Sequence, residues 1–411
     1  VVVTGIGVVS PIGTGREEVW ASAVAGRSGA GPITLFDAAE HETKFACEVK
    51  DFQPGEYMEH RAARRMDRFA QLGVAAGRLA LADAGLSVDG IADRAGAIVG
   101  SGVGGLETFT QQALVLHERG PSRISPLFIP MMIANMGAAQ ISMQLGLRGP
   151  LSCPTTACAS GNHAIGDATD HIRAGRADVM LAGGAECAVS SLAIAAFNTM
   201  KALSTRNDDP ATASRPFAVG RDGFVMGEAG AILVLERADH AEARGARIWC
   251  EVAGYGLSGD AHHMTEPDPT GVAPARAMTM ALEDAGLGPE SVDYVNAHGT
   301  STPVGDAAEV RVLQVALGED VAARTAMSST KSMHGHCLGA AGGLEGAIVA
   351  MAIAEGVIPP TINLGELDPE CDHVDHVANR AREADVRVAL SNGFGFGGHN
   401  ATLAMTRWEE R

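Results

Sequence analysis

Short patterns occur twice, in the same order, along this chain, and a duplication of that kind constrains the fold more tightly than any single propensity. Val3-Thr-Gly-Ile-Gly-Val8 returns as Val252-Ala-Gly-Tyr-Gly-Leu257. Ala80-Leu-Ala-Asp-Ala-Gly-Leu86 returns as Ala281-Leu-Glu-Asp-Ala-Gly-Leu287, identical at six of seven positions. Gly223-Phe-Val-Met-Gly227 and Gly393-Phe-Gly-Phe-Gly397 add a third pair without breaking the order. Such self-similarity predicts one α/β unit present twice, the first copy carrying longer insertions, with halves at 1–247 and 248–411. Strand-like runs (Val1–Val9, Ala97–Ser101, Val179–Ala182, Ile232–Leu235, Val292–Ala297, Val388–Leu390) alternate with helical windows (Phe69–Ala84, Asn162–Ala174, Ala275–Ala285, Ala307–Ala316, Leu344–Ala354). That alternation predicts mostly parallel strands, with an active site where loops of both halves meet at strand carboxyl ends.

With 46% of its 411 residues apolar, the chain has enough hydrophobic surface for a large core. Its net charge of −18 argues against binding nucleic acid or an anionic membrane through the overall field, so an anionic partner needs a local basic patch. The uncharged stretch Ile124–Leu147 is broken by Pro130, Asn135, Gln140, Ser142 and Gln144, which is not the composition of a membrane span. The chain opens on apolar Val1–Val3 with no basic start or cleavage site, and the expectation is a cytoplasmic protein. Seven cysteines without a C-x-x-C pair fit neither a disulfide framework nor a zinc knuckle, and leave room for a reactive thiol.

Cys158, in Thr155-Thr-Ala-Cys-Ala-Ser-Gly161, stands where a helix should begin. Unpaired N–H groups and the positive end of the helix dipole would lower its pKa, and small neighbours would leave the sulfur open. The alternative is a small buried hydrophobe, the reading taken for Cys153, Cys187 and Cys250. His298 closes the run Tyr294–Ala297 and enters the hydroxyl-lined loop Thr300-Ser-Thr302. Ser328–Gly343 supplies Lys331, His334 and His336, read either as an H-x-H metal half-site or as one imidazole donor in a glycine-rich turn. Neighbouring sequence offers no further ligands at metal spacing, so no metal is expected. Ser391–His399 presents either backbone N–H groups to an anion or a simple bend. Gly100–Gly105 looks nucleotide-like but lacks the acidic residue that such a loop requires about 20 positions later, and dinucleotide binding is rejected.

Taken together, T-A-C-A-S-G, N-A-H-G-T-S-T-P, K-S-x-x-G-H and F-G-F-G-G, in this order, resemble the β-ketoacyl-acyl-carrier-protein synthases, the elongating type II ketosynthases of the thiolase superfamily. The resemblance is collinear over nearly the whole chain and implies a duplicated, five-layered α/β/α/β/α fold. It implies Cys158 as acyl-accepting nucleophile, His298 and His336 as the pair driving decarboxylation and condensation, and Lys331 with Glu345 as an ion pair beneath them. The N–H groups of Cys158 and Phe396 would form the oxyanion hole. Thr300 and Thr302 would hold the phosphopantetheine arm of the acyl carrier protein, while Val103, Phe197 and Phe396 would line or gate the acyl tunnel. No permanently bound cofactor is implied. His334, Gly393 and His399 depart from the family's frequent Thr, Ser and Thr, and bear on acyl chain and pathway, fatty acid or polyketide.

Arg61, Arg64, Arg65 and Arg68 are spaced as one face of a helix, and Lys201 and Arg206 could extend the patch. This is the expected docking site for the acidic carrier protein. A dimer with itself or with a chain-length factor, and no nucleic-acid or membrane partner, complete the expectation. A thiolase-like or initiating condensing enzyme is the alternative.

Overall fold

A computed structural model describes residues 1–409, so Glu410 and Arg411 of the second half lie outside the described residues. A twelve-stranded mixed sheet runs through the protein. Its principal strands in the first half are β1 (Val2–Ser10), β2 (Ala95–Gly100), β3 (Leu151–Ser152), β4 (Val179–Cys187) and β5 (Glu228–Glu236). In the second they are β6 (Cys250–Gly259), β7 (Tyr294–Asn296), β8 (Ala326–Ser328), β9 (Val388–Gly395) and β10 (His399–Thr406). The spatial order is β1-β5-β4-β2-β3 in one half and β6-β10-β9-β7-β8 in the other. These are the same order, and the equivalent strands β1 and β6 pair antiparallel where the halves meet.

The repeated sequence patterns build the same contact twice. Helix α1 (Arg68–Asp83) lies on β1 so closely that a Cβ on Gly5 or Gly7 would come within 2.2 and 1.9 Å of the Ala80 and Ala76 carbonyl oxygens. Helix α3 (Val272–Ala285), third of the four long helices around the sheet in chain order, lies on β6, and a Cβ on Gly254 or Gly256 would come within 2.0 Å of the Ala281 and Ala277 oxygens. Only glycine permits this approach. Each strand carries a bulge, at Thr4 and at Ala253. Next to it, the repeated aspartate accepts a backbone N–H: Ile6 to Asp83 at 2.9 Å and Tyr255 to Asp284 at 3.0 Å.

Two further helices, α2 (Ser160–Arg173) and α4 (Ala341–Glu355), touch strands of both halves, whereas α1 and α3 each cover the outer face of their own half-sheet. Helix, sheet, helix pair, sheet and helix make the five layers. The stretch Leu338–Glu355 is apolar and long enough to cross a membrane, but it is 89% buried in the middle layer, as a core helix should be. The expectation of mostly parallel strands needs correction. β2 pairs parallel with β3 and β4, and β7 with β8 and β9, but β5 and β10 run antiparallel to both neighbours. In the second half a tight turn, Phe396–Gly398, joins β9 to β10, and a hairpin can only be antiparallel.

Candidate active site

The two central helices start against each other. A Cβ on Gly161 would meet Gly343 N at 2.6 Å, and one on Gly342 would meet Asn162 N at 2.4 Å. Each helix is entered through a 3₁₀ turn, Ala157–Ala159 before α2 and Leu338–Ala340 before α4. Both turns begin on a non-glycine residue at positive φ, Ala157 at 50° and Leu338 at 47°. Such backbone is strained, and it aims the middle residue of the first turn, Cys158, into the cleft.

His336 Nε2 lies 3.0 Å from Cys158 Sγ. The His298 ring stands edge-to-face on His336, centroids 5.3 Å apart, and the ligand atoms of all three residues lie within 4.8 Å of one another. Packing holds the rings: His298 against Phe394 at 5.8 Å and His336 against Phe224 at 5.4 Å. Both histidines are pushed well below the usual 6.5, first by burial and then by the Lys331 charge, so both imidazoles are neutral. Lys331 and Glu345 form a fully buried ion pair. Glu345 is raised to about 7, because burial outweighs the lysine.

The lowered thiol expected at the helix start is not found. Burial pushes Cys158 up to about 12, outweighing the downward pull of Lys331 and of the Phe396 N–H. The resting pair is therefore thiol and neutral imidazole. The H-x-H metal half-site does not form either. His334 points away, its Nδ1 donating to Gly335 O at 2.8 Å and its Nε2 accepting from Thr330 Oγ1 at 3.0 Å.

A cavity of about 450 Å³ opens over the cysteine, lined by Cys158, His298, His336, Thr300, Thr302, Val103, Phe197 and Phe396. The Thr300 and Thr302 hydroxyls are 3.0 Å apart. Lys331 and Glu345 lie outside the lining, as a pair beneath the site should. Sequence reading missed Glu309, whose buried carboxylate accepts the His298 N–H at 2.7 Å and the Gly299 N–H at 2.6 Å. Asp306, one helical turn earlier, does the same for Ser301 at 3.1 Å and Phe217 at 2.8 Å. The signal was present: two acids at i, i+3 just after Pro303 can face back onto the loop they follow.

The arginine face is broken. Arg61 belongs to a four-residue helix, His60–Ala63, and a separate helix starts at Arg68 behind its cap Asp67. Arg61, Arg64 and Arg65 are exposed and make no ion pair among the described residues. Arg68 turns inward to the buried Glu228 (2.7 and 3.0 Å) and to Val49 O (2.8 Å), so it leaves the docking set. Lys201 is exposed between the cavity-lining Met200 and Ala202, while Arg206 is partly buried and donates to Gly220 O at 3.1 Å.

Fold and site together are those of an acyl-transferring condensing enzyme. The chain belongs to the beta-ketoacyl synthase family: residues 1–241 match the N-terminal domain of that family and residues 249–365 its C-terminal domain. It is 50% identical over 410 residues to a 3-oxoacyl-[acyl-carrier-protein] synthase 2 of Synechocystis, covering 100% of this chain and 98% of the relative. It is similar to the solved ishigamide ketosynthase/chain length factor, at 41% identity and TM-score 0.93 over 99% of both chains. A type II PKS acyl-carrier protein in complex with its ketosynthase bound to the hexaketide is also similar, at 32% identity and TM-score 0.92 over 99% of both chains.

Proposed function

We propose that this chain extends an acyl chain by decarboxylative condensation with a malonyl thioester, both carried on the phosphopantetheine of an acyl carrier protein, in the cytoplasm. The observation that carries the reading is Cys158 Sγ at 3.0 Å from a neutral His336 inside a cavity built by both halves. Cys158 attacks the acyl thioester, its proton passes to the leaving thiol, and the acyl group becomes a thioester on the enzyme. Malonyl thioester then loses CO₂, and the bonding pair becomes an enolate whose oxygen takes hydrogen bonds from His298 and His336. The enolate carbon attacks the acyl carbonyl, the new C–C bond replaces the C–S bond, and Cys158 leaves as a thiolate that takes a proton from solvent to restore the resting thiol. The N–H groups of Cys158 and Phe396 receive the oxyanion of that step, in keeping with the pull of the Phe396 N–H on the sulfur.

Lys331 keeps the histidines neutral, and Glu345 balances the lysine in the core. Thr300 and Thr302 hold the pantetheine arm, Val103 and Phe197 line the acyl path, and Phe396, 38% exposed, gates it. Arg61, Arg64, Arg65 and Lys201 receive the carrier protein. The chain comprises halves 1–247 and 248–411, and the working unit is a dimer of this chain with itself or with a homologue. Helices Leu106–Arg119 and Phe128–Met132 bury no residue in the single chain, and Leu114, Leu116 and Ile129 are more than half exposed. The edge strand β3 is exposed at both residues. The test is direct: purified protein given acyl- and malonyl-carrier protein should form β-ketoacyl-carrier protein. Release of CO₂ without a lengthened product in the presence of both substrates would overturn the reading.

A further inference from the structure

Glu186 is completely buried at the carboxyl end of β4 and takes no part in the chemistry above. Its carboxylate gathers donors from both halves. Oε1 accepts from Ser101 Oγ at 3.0 Å, and Oε2 accepts from the Gly102 N–H at 2.5 Å and the Gly339 N–H at 3.2 Å. The Val103 N–H bonds to it as well, and Ser101 Oγ accepts in turn from the Gly104 N–H at 3.1 Å. A Cβ on Gly102 would sit 2.9 Å from Oε2 and one on Gly339 2.7 Å, so both glycines stand where the carboxylate needs close approach. Within the run Gly100–Gly105, this contact accounts for the glycine at 102.

Gly102, Val103 and Leu338 line the cavity beside Cys158. Gly339 occupies in the second half the place of Cys158 in the first, the middle of a 3₁₀ turn entering a central helix. One copy of the turn presents a nucleophile to the cleft. The other presents its N–H to a carboxylate, where the positive helix end favours an anion; burial nonetheless raises Glu186 to about 7, so it is charged above that pH, in the range where the thiol ionises. We infer that Glu186 is a positioning residue for acyl acceptance, holding the Ser101–Gly104 loop against the Leu338–Ala340 turn and so fixing the wall along which the acyl chain lies. The inference rests on Cys158 being the acylated nucleophile. The carboxylate also lies near enough to Cys158 to oppose its ionisation, after burial the principal upward influence on the thiol.

Glu186→Gln keeps the shape and removes the charge together with part of the accepting capacity. Acylation of Cys158 by a long-chain acyl-carrier protein should fall roughly tenfold in kcat/KM, while acylation by acetyl-carrier protein changes by about twofold or less. The pH profile of Cys158 alkylation by iodoacetamide should move to lower pH, which loosened packing alone would not cause. Ser101→Ala removes one donor and leaves the charge, so it should give a smaller long-chain defect with the alkylation profile unmoved. It carries the test by itself should Glu186→Gln not fold. Equal losses on long and acetyl chains, or unchanged chain-length profiles in both variants while the wild type is acylated on Cys158, would overturn the role of Glu186 alone. A wild-type Cys158 that takes no acyl group would instead overturn the nucleophile on which it rests.

Discussion

Cys158, His298 and His336 were legible as candidates from the segments that hold them, and as one site only through the order of the motifs and the family resemblance. Their protonation was not, because it depends on burial by the opposite half. Cys158→Ala should abolish condensation and leave circular dichroism unchanged, since it removes one sulfur from a turn already lined by alanines. His298→Ala and His336→Ala should each slow malonyl decarboxylation by roughly a hundredfold, the scale of losing one donor to a developing oxyanion. Both rings are held far below 6.5, so neither imidazole should put an inflection in the decarboxylation rate near that pH. A step there that persists in Glu345→Gln, which removes the carboxyl group raised to about 7 beneath the site, would mean that the imidazoles are not buried neutral in the working enzyme.

His334, the departure from the family's frequent threonine, offers a stability test with a definite sign. Its folded value is lowered to about 3, by burial first and by Lys331 second, against 6.5 when unfolded. Below pH 6.5 the unfolded chain therefore binds a proton that the folded one refuses. The stabilisation is complete above 6.5 and is lost as the pH falls toward 3. Denaturant unfolding of His334→Thr should show an acid limb shallower than wild type by up to about 1.4 kcal/mol per pH unit.

Among the elements, the two strand–helix contacts were the most legible and the arginine-bearing segment 61–68 the least. The V-x-G-x-G and A-L-x-D-A-G-L patterns repeat because a bulged strand, a close helix and an aspartate that accepts the strand's N–H require those residues in both halves. The arginine spacing had no comparable constraint behind it. A cap at Asp67 and the pull of the buried Glu228 on Arg68 broke the helix, and spacing alone does not register either. Gly7→Ala and Gly256→Ala should each lower unfolding stability by about 1–3 kcal/mol or more in thermal or urea melts, since the added methyl meets backbone and not a movable side chain. Arg68→Glu should cost about 3 kcal/mol or more by leaving Glu228 buried beside a like charge.

For the molecule as a whole, the duplicated α/β plan was readable from sequence, and the strand directions were not. Periodicity reports which face of a strand is buried and is silent on which way its neighbour runs. On the surface, Arg64→Glu with Arg65→Glu should raise KM for carrier-protein substrates several-fold and act less at high salt, with coenzyme A thioesters little affected. Equal losses on both substrate types would remove the docking role. The central claim, that Cys158 carries the growing chain, is tested most directly by weighing the Cys158 peptide after exposure to an acyl-carrier protein and again after adding malonyl-carrier protein. The account predicts an acyl adduct on Cys158 that disappears as β-ketoacyl-carrier protein forms. Product formed with no adduct on Cys158, or undiminished in Cys158→Ala, would contradict it.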